Sequence, residues 1–301
     1  MNDKQLEYAI ALSKSLNFSH VAEKYGISQP ALSKQIHALE KELGIELFNR
    51  KQSPIVLTAA GKYFFREASE LVYKEEQLIK SLDGFKCGDK GVLNIGVSPF
   101  RALYLLPELC KKIREEFPDI TITLHEDTSD ILRAKAAEGK FDFAIVNLPV
   151  NEAILDAIPI EEDMLVLAIP TKFLPRLDIP APAPMSEIDF KICKDIPFVV
   201  IREAQEMRTL FDKICLVAEL KPTIAMEVVG LATAWSMATK GIGATLLPLQ
   251  FIKAMGNSSD LTLFIPKCDS RIRRPSVVTR RGQYISPHAR YAIDILTNSM
   301  L

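Results

Sequence analysis

The stretch SQPALSKQIHALEKELGIELFNR at residues 28–50 decides the fold of the N-terminal part of the chain. Apolar residues recur within it at three- and four-residue steps, and such spacing places them on one stripe of a helix. The stripe consists of Leu32, Ile36, Leu39 and Leu43. Ser28 can cap the helix with its hydroxyl, and Pro30 fits the first turn, where no intrahelical N–H bond is lost. The sequence therefore predicts a helix that begins after Ser28, ends near Leu43 and packs through this stripe.

The other side of this helix is polar and nearly free of carboxylates. Its residues are Ser28, Gln29, Pro30, Ser33, Lys34 and His37, which cluster toward the helix N-terminus. Two preceding helices are predicted, one over about residues 3–16 with Leu6 and Ile10 inward, and a short one from Ser19 that ends at Gly26. A helix that reads the major groove of DNA needs such a polar side, free of carboxylates, and a preceding helix joined to it by a turn. An ordinary helical hairpin with a solvated outer face is the alternative.

A small β-wing is predicted after Gly44. The segment IELFNRKQSPIVLT at residues 45–58 alternates apolar residues on both sides of a Ser53-Pro54 turn. Arg50 and Lys51 lie at its edge, where we expect them to contact phosphates or the minor groove. Residues 1–58 are therefore predicted to form a winged helix-turn-helix domain that binds double-stranded DNA.

The quoted stretch, followed by LTAAG at residues 57–61, resembles the DNA-binding domain of the LysR-type transcriptional regulators. In that family the Ser-Gln-Pro-Ala-Leu-Ser start of the recognition helix, the Gln-Ile-x-x-Leu-Glu continuation and the Leu-Phe-x-Arg wing occur together. The resemblance implies a bacterial-type transcription regulator that binds promoter or operator DNA. The family often carries a second arginine in the wing, where this chain has Gln-Ser-Pro at residues 52–54. We therefore expect Lys51 to make the phosphate contact of that arginine.

A long helix is predicted from Ala59, capped by Thr58, to about Leu82. A coiled-coil-like seam of apolar residues runs along it, consisting of Phe64, Ala68, Leu71, Leu78 and Leu82. Glu75 occupies a seam position that should be apolar, so the helix either pairs two copies of the chain or packs on its own domain. The resemblance favours a homodimer, and we expect dimers to assemble into a homotetramer. Glycines near residues 83–91 predict a hinge, which makes 59–90 a linker.

Beyond Gly91 strand-like and helical segments alternate, which predicts an α/β domain with a largely parallel sheet. The strand-like segments VLNIGV, ITITLH and FDFAIV come first. A second α/β unit is predicted over 169–265, and its proline-rich LPRLDIPAPAP marks a loop. The tail from Pro266 is expected to return to the first unit, so the lobes are 91–168 with 266–301, and 169–265, joined by a two-strand hinge. This layout resembles the family's effector domain, which is similar to periplasmic binding proteins.

Ligands of such sheets bind at the carboxyl ends of the strands. Ser98, Thr128 and Asn147 follow the first three strands, and the helix that opens at Ser98 offers free N–H groups and a dipole that favour an anion. Ser98 and Thr128 can instead be mere helix caps. On the resemblance, the effector cleft is lined by Ser98, Phe100, Arg101, Thr128 and Asn147 from one lobe and by Ile201, Arg202, Glu203, Gly230 and Leu231 from the other. We expect a small carboxylate or similar anion, whose binding alters the spacing of the DNA-binding arms.

Composition and motifs argue against several other classes. Lysine and arginine number 37 against 38 aspartates and glutamates, so DNA contact must be local to one surface. Five widely spaced cysteines without a C-x-x-C pair, and His20, His125 and His288 without ligand spacing, predict no metal site and no cofactor. The sequence carries no motif for catalysis, secretion or membrane crossing, which predicts a cytoplasmic regulator and not an enzyme.

Several alternatives stay open. Cys193 and Cys215 can form a redox pair, although isolated structural thiols are commoner. The arginines between residues 271 and 281 can bind nucleic acid, although exposed arginines at strand edges are commoner. The chain can also be a solute-binding or enzymatic protein with an accessory bundle. It can finally be an architectural DNA binder without an effector, which a cleft filled by side chains would support.

Overall fold

The computed structural model describes residues 2–50, 52, 54–86, 91–160, 162–177, 185–203, 205–256 and 258–298. The chain divides into two units, residues 1–86 and 87–301, and each has a hydrophobic core of its own. Among the described helices, none combines the length and the apolar character that a bilayer crossing requires.

The N-terminal unit consists of three short helices, a two-stranded wing and one long helix. In chain order these are α1 (Asp3–Ser15), α2 (Phe18–Lys24), α3 (Gln29–Leu43), β1 (Phe48–Asn49), β2 (Val56–Leu57) and α4 (Ala59–Lys86). The two strands pair antiparallel, as the alternating sequence predicted. Side chains cap the first three helices by accepting a backbone N–H, with Asn2 bound to Gln5, Asn17 to His20 and Ser28 to Ala31.

The core of this unit differs from the sequence prediction on two helices. In α1 the fully buried residues are Ala9 and Leu12, so the inward face is rotated by about one residue from the predicted one. The small side chain of Ala9 lets the helices approach closely there. In α3 the stripe is buried except for Leu43, which is 38% exposed, and Glu40 is buried instead. Glu40 tolerates burial because its carboxylate accepts hydrogen bonds from the wing, as described below.

α4 is longer than predicted, because it continues through Gly84 to Lys86. A single glycine costs a helix only about 1 kcal/mol, so it does not force an end. The rest of the predicted hinge, residues 87–90, lies outside the described residues. Of the predicted seam, Ala68 is buried within the unit, whereas Leu71 and Leu78 are about 60% exposed. One side of α4 is thus buried, with Ala68 and Tyr73, whereas Leu71 and Leu78 belong to an exposed apolar side.

The C-terminal unit contains two α/β lobes. The first lobe comprises β3 (Gly91–Val97), α5 (Pro99–Glu116), β4 (Ile120–Glu126), α6 (Ser129–Ala137), β5 (Phe143–Asn147) and β6 (Leu155–Pro159), together with the later β14 (Pro275–Arg280) and α10 (Pro287–Asn298). The second lobe comprises β7 (Asp163–Pro170), β8 (Glu187–Ile188), β9 (Pro197–Ile201), α7 (Glu206–Val217), β10 (Thr223–Val228), α8 (Leu231–Thr239), β11 (Thr245–Pro248), α9 (Leu249–Met255), β12 (Leu261–Pro266) and β13 (Ile272–Arg273).

The first lobe is built on a five-stranded sheet in the order β4-β3-β5-β14-β6. β3 pairs parallel with β4 and β5, and β14 inserts antiparallel between β5 and β6. The chain from Pro275 on therefore lies in the first lobe. The parallel strands direct the ends at Val97, Glu126 and Asn147 toward one edge, which is where the predicted site residues lie.

The crossover between the lobes runs through β7 and β13. β13 pairs with the first two residues of β7, which brings Arg273 opposite Asp163. The following residues of β7 pair with β11 and β12 in the sheet of the second lobe. The boundary expected between residues 168 and 169 thus falls inside β7, because the apolar run from Leu165 to Ile169 is buried in that sheet.

Candidate functional sites

The recognition surface is the exposed side of α3 with the residue before it. Its exposed members are Ser28, Gln29, Pro30, Lys34 and His37, and Ser33 is half-buried. Gln35 is exposed as well and adds a donor and an acceptor that were not predicted from the sequence. On the opposite side Leu32 and Ile36 are fully buried. The polar side of α3 is therefore open for contact with a partner.

Glu40 joins the recognition helix to the wing. Its Oε1 accepts the backbone N–H groups of Leu47 at 2.9 Å and Phe48 at 3.1 Å. Its Oε2 accepts a hydrogen bond from Arg50 Nη2 at 2.8 Å, and the Arg50 guanidinium lies 5.6 Å from the centroid of the Phe18 ring. Arg50 was expected to contact phosphate, and it holds the wing as well. Since its side chain stays 37% exposed and a guanidinium has five N–H donors, the two roles are compatible.

The start of α4 is held against the same segment. Thr58 donates its backbone N–H to the Leu47 carbonyl at 3.0 Å, and its hydroxyl oxygen accepts the N–H of Gly61 at 2.9 Å. A Cβ at Gly61 would lie 2.1 Å from the Leu47 carbonyl oxygen, so only glycine fits there. This close approach gives a physical reason for the LTAAG sequence. Lys51, also predicted to contact DNA, lies outside the described residues.

In the C-terminal unit, Ser98 and Thr128 stand at the N-cap positions of α5 and α6. Both have extended backbone, yet neither side chain makes a cap hydrogen bond. Ser98 Oγ instead faces Arg101 Nη1 at 3.5 Å. Their hydroxyls are therefore not used as caps, and the first N–H groups of both helices lack that partner.

A polar bridge connects the two lobes beside these helix ends. Arg101 is fully buried, and its Nη2 donates to Asn147 Oδ1 at the end of β5. Asn147 Nδ2 in turn donates to both carboxylate oxygens of Glu206, at 2.6 and 2.7 Å. Glu206 opens α7 and belongs to the second lobe, so this contact crosses the cleft. The cleft is thus filled by side chains at this point.

The crossover strands complete the cluster with a second arginine and a second carboxylate. Arg273 Nη2 lies 3.6 Å from Glu206 Oε2, and Arg273 Nη1 lies 3.7 Å from Asp163 Oδ2. The Phe100 ring lies near both guanidiniums, 5.5 Å from that of Arg101 and 5.8 Å from that of Arg273. Buried N–H groups nevertheless stay unsatisfied, because the Nε of each arginine has no hydrogen-bond partner among the described residues.

Burial shifts the titration of the cluster. Desolvation, and then repulsion by Arg273, lower the pKa of Arg101 to about 10, so the guanidinium stays cationic at neutral pH. Desolvation also raises the pKa of the Asp163 carboxyl, and the attraction of Arg273 opposes this shift. Burial raises the pKa of the neighbouring Tyr104 to about 12. Arg101, Arg273 and Asp163 thus form a buried cluster with the partly exposed Glu206, two basic and two acidic side chains in all.

The residues that were expected to line the cleft from the second lobe differ in their exposure to solvent. Ile201 is only 5% exposed and belongs to the core of that lobe, so it does not line an open cleft. Arg202 and Glu203 are exposed, and Glu203 lies 3.9 Å from Arg208. Gly230 and Leu231 are half-buried, at the cap and first residue of α8. Phe100, expected in the cleft, packs against the core of the second lobe.

Three members of the cluster, Glu206, Asp163 and Arg273, were not predicted from the sequence. Arg273 was grouped with exposed arginines, but its side chain is 5% exposed and bound in the cluster. The neighbours Arg274 and Arg281 pair with Glu162 and Asp156 at 3.0 Å each, so the group is not a basic patch. A positional signal was available for Glu206, because it begins the helix that follows β9, as Pro99 begins the helix that follows β3.

Cys193 and Cys215, the candidate redox pair, lie near each other but are shielded from solvent. Cys193 is fully buried and Cys215 is 4% exposed, both within one apolar core. Burial raises the pKa of each thiol to about 12. Because the thiolate is the reactive form, these cysteines are poor targets for peroxide. No group of side chains with the makeup of a metal site occurs in the described part of the chain.

The fold and the two sites define a regulator with a winged helix-turn-helix and a two-lobed sensing domain. Residues 4–62 match the family described as bacterial regulatory helix-turn-helix protein, lysR family, and residues 87–301 match the LysR substrate binding domain. The chain therefore belongs to the LysR family of transcriptional regulators, which confirms the resemblance found in the sequence. It is a DNA-binding transcriptional regulator with a LysR substrate binding domain, and not an enzyme.

Individual relatives and solved structures agree with this placement. The chain is 27% identical over 259 residues, covering 82% of it and 80% of the relative, to an uncharacterized HTH-type transcriptional regulator, YcgK, of Bacillus subtilis. It is 29% identical over 250 residues, 82% and 80% of the two chains, to a hydrogen peroxide-inducible genes activator of Haemophilus influenzae. A full-length OxyR variant of Pseudomonas aeruginosa has a similar fold, with a TM-score of 0.64, 22% identity and coverage of 99% and 94%.

Proposed function

We propose that this regulator senses a small carboxylate or comparable anion at the first-lobe edge of its cleft, beside Ser98, Arg101, Thr128 and Asn147. The observation that carries the proposal is Arg101, which is fully buried and cationic and still has an unsatisfied Nε. Two helix N-termini without side-chain caps open beside it. Buried cations and free N–H groups together favour a negatively charged ligand.

The DNA-binding side is proposed in the same detail. Gln29 and His37 face base edges in the major groove, and Lys34, Arg50 and Lys51 contact phosphates. The exposed polar side of α3 supports the first assignment. We assign residues 1–58 to this function and 59–90 to the linker.

Assembly into dimers and tetramers is also proposed. From Leu71 onward, α4 carries four apolar side chains that are each at least half exposed: Leu71, Leu78, Ile79 and Leu82. An apolar helix face of this kind is buried when two copies pair, and a dimer can then read two half-sites. Effector binding changes the spacing of the DNA-binding arms, and the regulator works in the cytoplasm, where its promoter DNA lies.

The direct test compares carboxylates with their uncharged amides on the full-length protein. We expect carboxylates of fitting size to raise the melting temperature, since a ligand at 100 times its Kd stabilises by about 2.7 kcal/mol, and the matched amides to have no effect. Footprints on promoter fragments, with and without the same compounds, then connect binding to DNA contact. An equal response to acids and amides would contradict the anionic effector.

The filled cleft favours a second candidate, a regulator whose DNA contact does not depend on an effector. The bridge from Asn147 to Glu206 already closes the cleft without a ligand. In this case no carboxylate changes the footprint or the melting temperature. The comparison of carboxylates with amides therefore distinguishes the two candidates.

A further inference from the structure

Glu206 places a carboxylate of the protein itself where the proposed effector would bind. We propose that Glu206 is an internal competitor for the anion site, holding the lobes together through Asn147 until an anionic effector takes its place. The inference rests on the proposed function, because it concerns the same cleft. Beyond the proposed function, it names Glu206 as the residue that keeps the cleft closed, and it states that the effector displaces the Glu206 carboxylate from the site.

The geometry of Glu206 is that of a bound carboxylate. Both of its oxygens accept from Asn147 Nδ2, at 2.6 and 2.7 Å, and one lies 3.6 Å from Arg273 Nη2. Asn147 is 1% exposed and is oriented by Arg101, which binds its Oδ1. A donor buried in this way must have an acceptor, and Glu206 is the acceptor in this structure.

The charges of the cluster favour an effector that replaces the Glu206 carboxylate over an effector that binds in addition to it. Arg101 and Arg273 contribute two positive charges, and Asp163 and Glu206 contribute two negative charges. Adding an effector carboxylate to this buried cluster would leave one negative charge unpaired, which is costly in a low-dielectric site. If Glu206 leaves as the effector enters, the net charge of the cluster stays at zero.

Glu206 is the member of the cluster that can leave. Its side chain is 27% exposed, whereas those of Asp163 and Arg273 are 1% and 5% exposed. It stands at the first residue of α7, so its carboxylate can turn toward water without breaking the helix. Its departure also frees Arg273, whose Nε lacks a hydrogen-bond partner in the described part of the chain. An effector with more than one oxygen can satisfy donors that Glu206 leaves open.

The test uses full-length protein with acetate as the probe and chloride at equal ionic strength as the reference. Glu206→Gln removes the competing charge and keeps the shape of the side chain. Glu219→Gln, beyond the other end of α7, removes the same charge from an exposed side chain and serves as the matched control. The fluorescence of Trp235, the single tryptophan, reports binding, because its ring packs on Phe251, which packs on Phe100 beside Arg101 and Arg273. Hydrogen exchange of α7 and β5 reports cleft closure.

We expect Glu206→Gln to lower the acetate midpoint by about tenfold or more relative to wild type and control. Without acetate, the variant should exchange faster than wild type in α7 and at the end of β5, and saturating acetate should raise the exchange of wild type toward that of the variant, because it releases Glu206 from Asn147. Equal acetate midpoints in all three proteins would overturn the competitor and leave the anion site standing. If acetate binds none of them, the anionic effector fails too, whereas unchanged exchange in Glu206→Gln refutes the closing role alone.

Discussion

Glu40 on the buried side of the recognition helix and Arg50 on the wing form an ion pair of 2.8 Å, and this pair fixes the wing to the helix. The same carboxylate binds two backbone N–H groups of the wing, so it determines where the wing lies when α3 contacts DNA. Glu40 had no role in the prediction from the sequence. Its position makes the wing and the recognition helix one rigid surface.

We expect Glu40→Ala to destabilise the N-terminal unit by about 3 kcal/mol, since it leaves two buried backbone donors and one guanidinium without an acceptor. Glu40→Gln keeps one acceptor oxygen and should cost less. Thermal unfolding measures the loss, and Glu42→Ala, an exposed neighbour on the same helix, serves as the control. A loss of less than about 1 kcal/mol would show that water replaces the carboxylate.

Gly61→Ala should destabilise the same unit by about 2 kcal/mol or more, because the new Cβ would lie 2.1 Å from the Leu47 carbonyl oxygen. That oxygen belongs to the backbone and cannot move aside cheaply. Gly91→Ala is the control, since its Cβ would meet nothing closer than 3.6 Å. Chemical denaturation of both variants checks the expectation, and equal stability would refute the close approach.

Gln29→Ala and Lys34→Ala should weaken DNA binding in different ways. The Gln29 variant should lose about 1–3 kcal/mol on the operator and relax sequence preference, because a contact to a base edge is removed. The Lys34 variant should bind all sequences more weakly and reduce the salt slope by about one, because a phosphate contact is removed. Titrations at several salt concentrations measure both, with Lys240→Ala as the charge-matched control in the other unit. Identical profiles for the two variants would disprove the assignment.

Peroxide should leave Cys193 and Cys215 reduced in the folded protein, because both thiols are buried in an apolar core. With each thiol pKa at about 12, only about one molecule in 10⁵ carries a thiolate at pH 7. Mass spectrometry after peroxide treatment tests this, and the unfolded protein under the same dose is the positive control. A disulfide between the two residues in the folded state would contradict the expectation.

His288 should make the C-terminal unit less stable as the pH falls below about 6.5. Burial lowers the pKa of His288 below its ordinary value of 6.5, and the nearby Asp142 opposes this shift. The unfolded chain therefore binds the proton first, so unfolding is favoured from about pH 6.5 down to the folded-state pKa. His288→Phe should flatten this part of the stability profile, whereas the exposed His20→Gln should not. A profile unchanged by His288→Phe would mean that another group titrates there.

Local signals carried most of the N-terminal prediction. Ser28, Pro30 and Gly44 mark the ends of α3 through capping and backbone preference, which act between neighbouring residues. The buried stripe of α3 was predicted correctly except at Leu43, which is exposed. Glu40 is buried in its place, because the wing, which is distant in the sequence, donates hydrogen bonds to its carboxylate. The phase of α1 could not be fixed, since Ala9 and Ile10 are both apolar and only the packing decides between them.

The cleft was harder to predict because its contacts are between residues far apart in the chain. The strand ends at Ser98, Thr128 and Asn147 were found from the alternating pattern. The partner of Asn147 was missed, because Glu206 belongs to another lobe and no local pattern connects the two. Arg273 was missed for the same reason, since burial in a charged cluster depends on tertiary structure alone.

The insertion of β14 between β5 and β6 has a consequence for biosynthesis. Synthesis must proceed through β14 before the central sheet of the first lobe can close, whereas residues 1–86 are synthesised before it and have a core of their own. A stalled or truncated nascent chain would therefore carry a folded DNA-binding unit without a working sensor. Formation of a working sensor thus depends on synthesis of the chain through β14 and α10.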